Sequence, residues 1–578
     1  MNVEMSSRFS FIDYALFVLM LSISAGIGFY YAWKDRHKKT VDRVLLGGRK
    51  LKIFPVAMSI MASFTSAISI LGFAREMYQF GSMYLLIGIS YFITQPFATF
   101  FFVPFYHRLG ITSAYEYLQR RFNNSVRTCA SIIFCVQMFC YMAVVLYSPS
   151  LAIEQVTGIP LWLSIVSTGL VCTIYTSLGG MKAVVFTDTF QSIVMFSGLI
   201  LVIILGTNRV GGVDAVYQKL VEGDRLEFFD FNPSPFERHT FWSIMIGGFF
   251  TSLTVYGSNQ ATIQRYLTLP SIRDAQIAMM INLLGTFSIL VICCLCGFVA
   301  YANYFGCDPL LNNQISNYDQ LLPYFVVDLL KNFYGLPGIF IACIYSAALS
   351  TVSSGLNSLS AVFLHDFIYP IYTSYKLKKM SHKRSIILTN FLAGCFGLIT
   401  IGLAYLCKYV GSTVLQLSLS IFGLLGGPLL GVMMLGMMIP FSNSKGALAG
   451  LLVSTGFNFW LGLSAILNGN RPLSKSFKID MCMETISSTI PLNYSSSSIK
   501  ATIQNEGFSK IYDLSYYWYS LLAVFNVFFI GILVSLITNL FDKDRTKPDP
   551  DLLVFGGDKY RKKIDNESID EKLQMMNL

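Results

Sequence analysis

Ala347, Ser350 and Thr351 stand at i, i+3 and i+4, so on a helix they share one face. They belong to a run, Ser346 to Ser358, in which hydroxyls recur inside an apolar segment. A second run, Ala62 to Ser69, carries hydroxyls at Ser63, Thr65, Ser66 and Ser69. The chemistry open to such groups is coordination of a dehydrated cation by neutral oxygens. If the backbone loosens near Ala347, its carbonyl oxygen and the hydroxyls of Ser350 and Thr351 point to one place. A facing, unwound stretch adds carbonyls at Ser66 and Ser69. Irregular backbone at membrane depth is tolerated where it lines such a cavity. Mg²⁺ or Ca²⁺ would demand carboxylates, so five neutral oxygens suit a monovalent ion, and sodium is the natural candidate. Small hydroxylated residues also let helices approach closely, which accounts for any one of these groups taken singly.

The elements that must hold these runs are membrane spans. Of 578 residues, 54% are hydrophobic and 13% charged, with a mean hydropathy of +0.57. A soluble domain carries about 25% charged residues, so water is the wrong solvent for this chain. A bilayer core of ~30 Å needs roughly 20 apolar residues per helix. That rule gives about thirteen spans: 11–33, 52–73, 82–106, 126–147, 160–178, 187–207, 240–258, 275–302, 335–366, 384–406, 412–438, 444–466 and 514–541. The first is too long for a signal-peptide core, and its basic cluster follows it instead of preceding it. The expected class is an all-α polytopic membrane protein with one membrane domain over 11–541.

Basic residues set the orientation. Lys34, Arg36, Lys38, Lys39, Arg43, Arg49, Lys50 and Lys52 cluster around the link after span 1. Arg108, Arg120, Arg121 and Arg127 mark the link after span 3, and Lys376, Lys378, Lys379, Lys383 and Arg384 the link after span 9. The positive-inside rule then places the N-terminus (1–10) outside and a tail, 542–578, in the cytoplasm. The tail mixes both charge signs and reads as flexible. A glycosylation sequon at Asn493 falls in a link expected outside, whereas those at Asn123 and Asn566 fall inside. Cys307 and Cys482 lie in two external links, where they either form a disulfide or remain free thiols. The formal charge of +10 is spread over these links, so it argues against a nucleic-acid surface.

Span 7 ends in Tyr256-Gly257-Ser258-Asn259-Gln260 before Gln264-Arg265-Tyr266, either a helix break or a structural cap. Spans 2 and 7 open two five-span blocks, about 52–207 and 240–438, the arrangement of an inverted repeat with a broken first helix in each half.

Three stretches carry a family likeness. Tyr175-Thr176-Ser177-Leu178-Gly179-Gly180-Met181-Lys182-Ala183-Val184-Val185-Phe186-Thr187-Asp188-Thr189-Phe190-Gln191, the run Tyr256 to Tyr266, and Ala347 to Ser358 resemble motifs of the sodium:solute symporter family (solute carrier family 5 in animals). Leu109 to Leu118 and Val145 to Ala152 are similar to the branch handling vitamins, monocarboxylates and iodide. The resemblance implies a LeuT-like fold, alternating access, and sodium-driven import of a small organic anion across the plasma membrane. It assigns the ion to backbone oxygens of Ser66, Ser69 and Ala347 with the hydroxyls of Ser350 and Thr351. It places Tyr91, Tyr147, Gln416 and Ser418 near the solute. Ser69 stands where the iodide carrier has glutamine, which argues against iodide, and Glu154 reads as a solvated carboxylate at the external mouth.

The expected partners are sodium, a small solute and the bilayer, with no nucleic acid and no organic cofactor. A channel would need a continuous polar stripe, and the hydroxyls here cluster at isolated breaks. An enzyme would need a constellation such as His-Glu-x-x-His or a P-loop, and the chain has neither. Arg75-Glu76 and His365-Asp366 fall at span ends, where snorkelling or pairing explains them.

Overall fold

The computed structural model describes residues 10–34, 40–374, 380–409, 413–469, 474–478, 482, 507–541 and 548–554. Among these the regular structure is helical throughout. Ten helices are long and apolar enough to cross a bilayer, and one further pair qualifies as a bent span.

The chain enters through α1 (Phe11–Lys34) and a short α2 (Val41–Leu46), capped by the Thr40 hydroxyl. The second expected span is α3 (Ile53–Phe64) and α4 (Ala67–Phe80), bent by 60° at Thr65–Ser66. Hydroxyl-bearing residues compete with the helix for backbone hydrogen bonds, and this is where the ladder fails. Next come α5 (Ile87–Leu109), the short α6 (Glu116–Arg121), and α7 (Asn124–Thr157), capped by the Asn123 side chain. Spans 5 and 6 fuse into α8 (Leu161–Val210), 50 residues long. A straight helix of that length would run about 75 Å, so it must fold over. It does so at Gly180, at φ 64°, ψ −173°, a backbone state open to glycine.

After α9 (Val213–Glu222) the seventh expected span is irregular. A π turn at Ser243–Gly247, α10 (Gly248–Leu253), a second π turn at Thr254–Ser258 and an extended Asn259 precede α11 (Gln260–Tyr266). The break falls where glycine and the amides sit, and Asn259 caps α11 by accepting from the Ala261 N–H. The chain continues through α12 (Ile272–Asn303), α13 (Leu321–Leu330) and α14 (Leu336–Val362), which a π turn carries into α15 (Tyr369–Ser374). It closes with α16 (His382–Leu406), α17 (Val414–Ile421) leading by a π turn into α18 (Gly427–Met438), α19 (Ser444–Asn468) and α20 (Trp518–Phe541). The thirteen expected spans are thus accounted for, with α8 supplying two and 243–266 one.

The core is α14. Every residue from Phe340 to Val362 is buried, against α8, α7, α1 and α3. Its hydroxyls therefore face protein on all sides, not lipid. One expectation fails: α14 is continuous through Ala347, so the backbone there does not loosen. Apolar packing on every face holds the helix, and the irregularity is confined to the facing span 2. The described part of the tail, 548–554, also differs from expectation. Leu552 and Leu553 are buried, Val554 N–H donates to Met437 O at 3.0 Å, and Tyr117 hydroxyl donates to Leu552 O at 3.3 Å.

Two ends of the bundle are chemically distinct. One carries the basic links and the other carries Cys307 and Cys482, joined as a disulfide across 175 residues of chain. Closing a loop of that length limits the unfolded ensemble by up to about 5 kcal/mol in the chain-entropy account. Replacing both cysteines by serine is expected to lower the thermal midpoint of the purified protein, to the value reached by wild type in reductant. An unchanged midpoint would mean the bridge constrains nothing that packing does not already hold. Asn493 and Asn566 lie outside the described residues, and Asn123 is occupied as a helix cap.

Candidate functional site

The bend of span 2 and the hydroxyl face of α14 meet. Ser63 Oγ lies 3.2 Å from Ser354 Oγ, and α4 also packs on α14. At the bend, Ser66 is buried and caps α4 in an extended conformation. Its carbonyl accepts from the N–H groups of Ser69 (3.0 Å) and Ile70 (3.2 Å), and its hydroxyl faces the Tyr141 phenol without completing a hydrogen bond. Ser69 Oγ reaches back to Phe64 O at 3.3 Å. On α14, Thr351 Oγ donates to Ala347 O at 3.1 Å.

Ser350 is treated differently. Its hydroxyl donates to Asp188 Oδ1 at 2.7 Å. The only hydrogen of Ser350 Oγ is thereby spent, so its lone pairs stay available to a cation. Asp188 is fully buried in the second half of α8. Its other oxygen accepts from Ser59 Oγ at 2.5 Å and from the Arg265 guanidinium at 3.5 Å. Arg265, on α11, also donates to Ser59 Oγ (2.9 Å), to Ala261 O (2.7 Å) and to Ser354 Oγ. Spans 2, 6, 7 and 9 are thus tied through one carboxylate and one guanidinium. An ionisable pair is expensive to hold at this depth, which makes it a candidate for the functional site.

Neither residue was assigned a site role on sequence. The signal was available: Asp188 is a carboxylate inside an apolar run. Its partner lies 77 positions away, and spacing cannot reveal that.

Three further ion pairs flank this one. At the disulfide end, Arg238 grips Glu76 with two nitrogens, at 2.6 and 3.2 Å, and donates to Gln416 Oε1 at 2.7 Å. Arg75 pairs there with Asp319 at 2.7 Å. At the basic end, Arg127 pairs with Asp366, which also accepts from Ser113 and Ser131 at 2.8 and 2.7 Å. Arg75, Glu76 and Asp366 are therefore paired, not snorkelling. Beside Glu76, burial and then the Arg238 charge push the His239 imidazole down to about 3, against the pull of the Glu76 carboxylate.

The expected solute residues are not gathered by hydrogen bonds among themselves. Gln416 belongs to the Arg238 clamp. Tyr91 and Tyr147 are half-buried, and Ser418 is buried on α17. What walls the bend is an aromatic trio that sequence reading did not single out. The Tyr141 ring lies 4.8 Å from Phe422 and 6.4 Å from Phe64, with Phe64 and Phe422 at 6.0 Å. Glu154 is exposed, as expected of a solvated carboxylate.

Among the described residues no cluster of His, Cys, Asp or Glu could hold a multivalent metal. Residues 44–454 match the model of the sodium:solute symporter family. The chain is 42% identical over 536 residues to sodium-coupled monocarboxylate transporter 1 of Mus musculus, covering 91% of this chain and 87% of the relative. It is 42% identical over 540 residues to the sodium-dependent multivitamin transporter of Oryctolagus cuniculus, covering 92% and 83%. Among solved structures, a substrate-bound, outward-open Na⁺-coupled sialic acid symporter matches with a TM-score of 0.73 at 24% identity, over 92% of this chain and 98% of that one.

Proposed function

This chain belongs to the sodium:solute symporter family, and from that premise we propose that it imports a small organic monoanion, a monocarboxylate or carboxylated vitamin, across the plasma membrane. The basic end of the bundle faces the cytoplasm and the disulfide end faces outward, following the distribution of Lys and Arg. Sodium takes the carbonyl oxygens of Ser66, Ser69 and Ala347 with the hydroxyl oxygens of Ser350 and Thr351. The observation that carries this reading is the Ser350–Asp188 hydrogen bond beside the bent span, since it turns Ser350 into a pure acceptor.

The solute sits at the bend, its apolar body against Phe64, Tyr141 and Phe422 and its carboxylate near the hydroxyls of Ser69 and Tyr141. The bound sodium supplies positive charge, so no unpaired lysine or arginine is needed there. External sodium binds first and pins α14 to the bend, which completes the solute site. Solute then permits closure at the outer end and release inward. Each charge carried through the full field gains ~2.3 kcal/mol per 100 mV.

Uptake of a labelled panel (biotin, pantothenate, lactate, short-chain fatty acids, iodide, choline and glucose), with and without Na⁺, tests the class. The expected result is sodium-dependent, saturable uptake of one or more carboxylates, with choline and glucose excluded. Ser350→Ala/Thr351→Ala removes two of five ligands and is expected to raise the sodium concentration for half-maximal uptake about thirtyfold or more, at ~1 kcal/mol or more for each lost oxygen. Normal sodium dependence of that variant at the cell surface would sink the site assignment. Binding without uptake would make the protein a sensor.

A further inference from the structure

We propose that residues 549–554 are a releasable latch on the basic end of the bundle, holding in place the loop that secures the broken seventh span. The segment is built on a short turn, Pro550–Leu552, which the Asp549 carboxylate caps by accepting from the Asp551 N–H at 3.0 Å. Pro548 and Pro550 restrict the chain before it docks, so little freedom is lost on seating. Its seat lies between α6 and α18, and that seat is chemically incomplete without it. Tyr117 of α6 is fully buried and finds an acceptor for its hydroxyl in Leu552 O, at 3.3 Å. α18 ends at Met438 and leaves carbonyls that its own helix cannot serve. Leu435 O accepts from the Ile439 N–H, and Gly436 O accepts from Arg121 at 3.0 Å. Met437 O is served by the tail, through the Val554 N–H at 3.0 Å.

The loop beneath the seat has a second task. The break of span 7 frees the carbonyls of Gly257 and Ser258, and the hydroxyls of Tyr106 and Tyr115 donate to them at 3.0 and 3.1 Å. Gln260, at the start of α11, accepts from the Ala114 N–H at 2.7 Å and donates to Thr112 O at 2.8 Å. Ser113 donates to Asp366, in the π turn beyond α14, at 2.8 Å. Residues 112–115 run directly into α6. α18 borders the same break, since it packs on the Thr254–Ser258 turn. The fit between the two seat elements is close, for a Cβ on Gly436 would stand 2.7 Å from the Tyr117 hydroxyl. The tail is therefore seated across two elements that flank one helix break. A carrier that releases its cargo at this end must part contacts here, so a segment that stiffens them sets how readily it opens. That consequence rests on the import cycle proposed above; the latch itself does not.

Release disturbs little else. Leu552 and Leu553 are 7% and 5% exposed and anchor the segment, whereas Asp549 and Asp551 stay exposed on its outer side. No span is interrupted when the segment leaves, because it follows the last one, α20. A short stretch held by two apolar side chains opens locally at a small fraction of the cost of global unfolding. The latch is thus strong enough to seat and weak enough to let go.

The test is hydrogen–deuterium exchange on the purified full-length protein, read by mass spectrometry. Leu552→Asp/Leu553→Asp removes both apolar anchors and is expected to speed exchange at residues 112–121 and 254–266 roughly tenfold or more, with α12 unchanged. Leu552→Met/Leu553→Met keeps the anchors and is expected to stay within about twofold of wild type. Unchanged exchange at 112–121 and 254–266 in the aspartate variant overturns the latch, because the loop then holds without the tail. A rise of equal size in α12 overturns it as well, since the tail would then be one more piece of general packing. Exchange is read without solute or sodium, so an error in the proposed cargo leaves this result standing.

Discussion

Asp188→Asn is expected to abolish sodium-driven uptake, and adding Arg265→Gln is expected to return the protein to the cell surface with its use of sodium still weakened. The reasoning separates two jobs of one carboxylate. As a partner, Asp188 neutralises a guanidinium with 1% side-chain exposure. Removing one member of a buried pair strands the other, at a cost of about 3–5 kcal/mol, a large part of the stability of a typical domain. The single variant should therefore mature poorly, and so should Arg265→Gln alone. Removing both charges relieves the stranded ion, and the double variant should recover surface expression to within about twofold. As a positioning residue, Asp188 accepts the Ser350 hydrogen bond and leaves the lone pairs of the Ser350 oxygen to the proposed sodium. An asparagine can present its NH₂ there instead, making Ser350 an acceptor of the wrong hydrogen bond. The double variant should then show sodium dependence weakened by tenfold or more, at about 1.5–3 kcal/mol for a hydrogen bond to a charged group. Uptake fully restored in the double variant would reduce Asp188 to a counter-charge.

The fold was largely legible because hydropathy and charge act along the chain. Each span is long enough to read by itself, and the basic links repeat with the spans. The break in span 2 was legible for the same reason: Ser63, Thr65, Ser66 and Ser69 are consecutive enough to betray a failing helix. Ala347 shows the limit of that logic. Its hydroxylated neighbours suggested loosening, yet apolar burial around the whole of α14 keeps it regular. The pairs that define the site were not legible. Glu76 and Arg238 are 162 positions apart, Asp188 and Arg265 are 77, and no local pattern announces either. Gln416 is the same case, since its bond to Arg238 spans 178 positions. The tail misread has a different origin. The Leu552–Leu553–Val554 segment is too short to register as an element, and it is held by packing on Tyr117 and Met437.

Glu76→Gln is expected to leave the disulfide end of the bundle open and to lower uptake about tenfold or more. Arg238 comes from the link before the broken seventh span, Glu76 from the end of α4, and Gln416 from the start of α17. One guanidinium therefore fastens three elements across the mouth proposed as external. The rings of Phe80 and Tyr516 sandwich it at 4.8 and 5.2 Å, keeping water from competing. Neutralising Glu76 strands Arg238 in that setting only while the mouth is closed, because an open mouth hydrates it. The penalty of about 3–5 kcal/mol thus falls on one conformation and shifts the population toward the other. A cysteine placed at Ser418, buried in this conformation, should react with a membrane-impermeant thiol reagent roughly tenfold faster or more in the Glu76→Gln background. Acid should act in the same direction. His239 is held neutral in the closed mouth, its imidazole pushed from 6.5 to about 3, so it gains no proton there above that range. An open, hydrated mouth would let it protonate near its ordinary value, so lowering external pH from 7 toward 5 favours opening. Arg238→Gln should mimic Glu76→Gln, and the two together should cost less than their sum, because the second removes an ion the first has already stranded. Reaction at residue 418 that ignored both Glu76→Gln and acid would show that the mouth is closed by packing, with the ion pair a passenger.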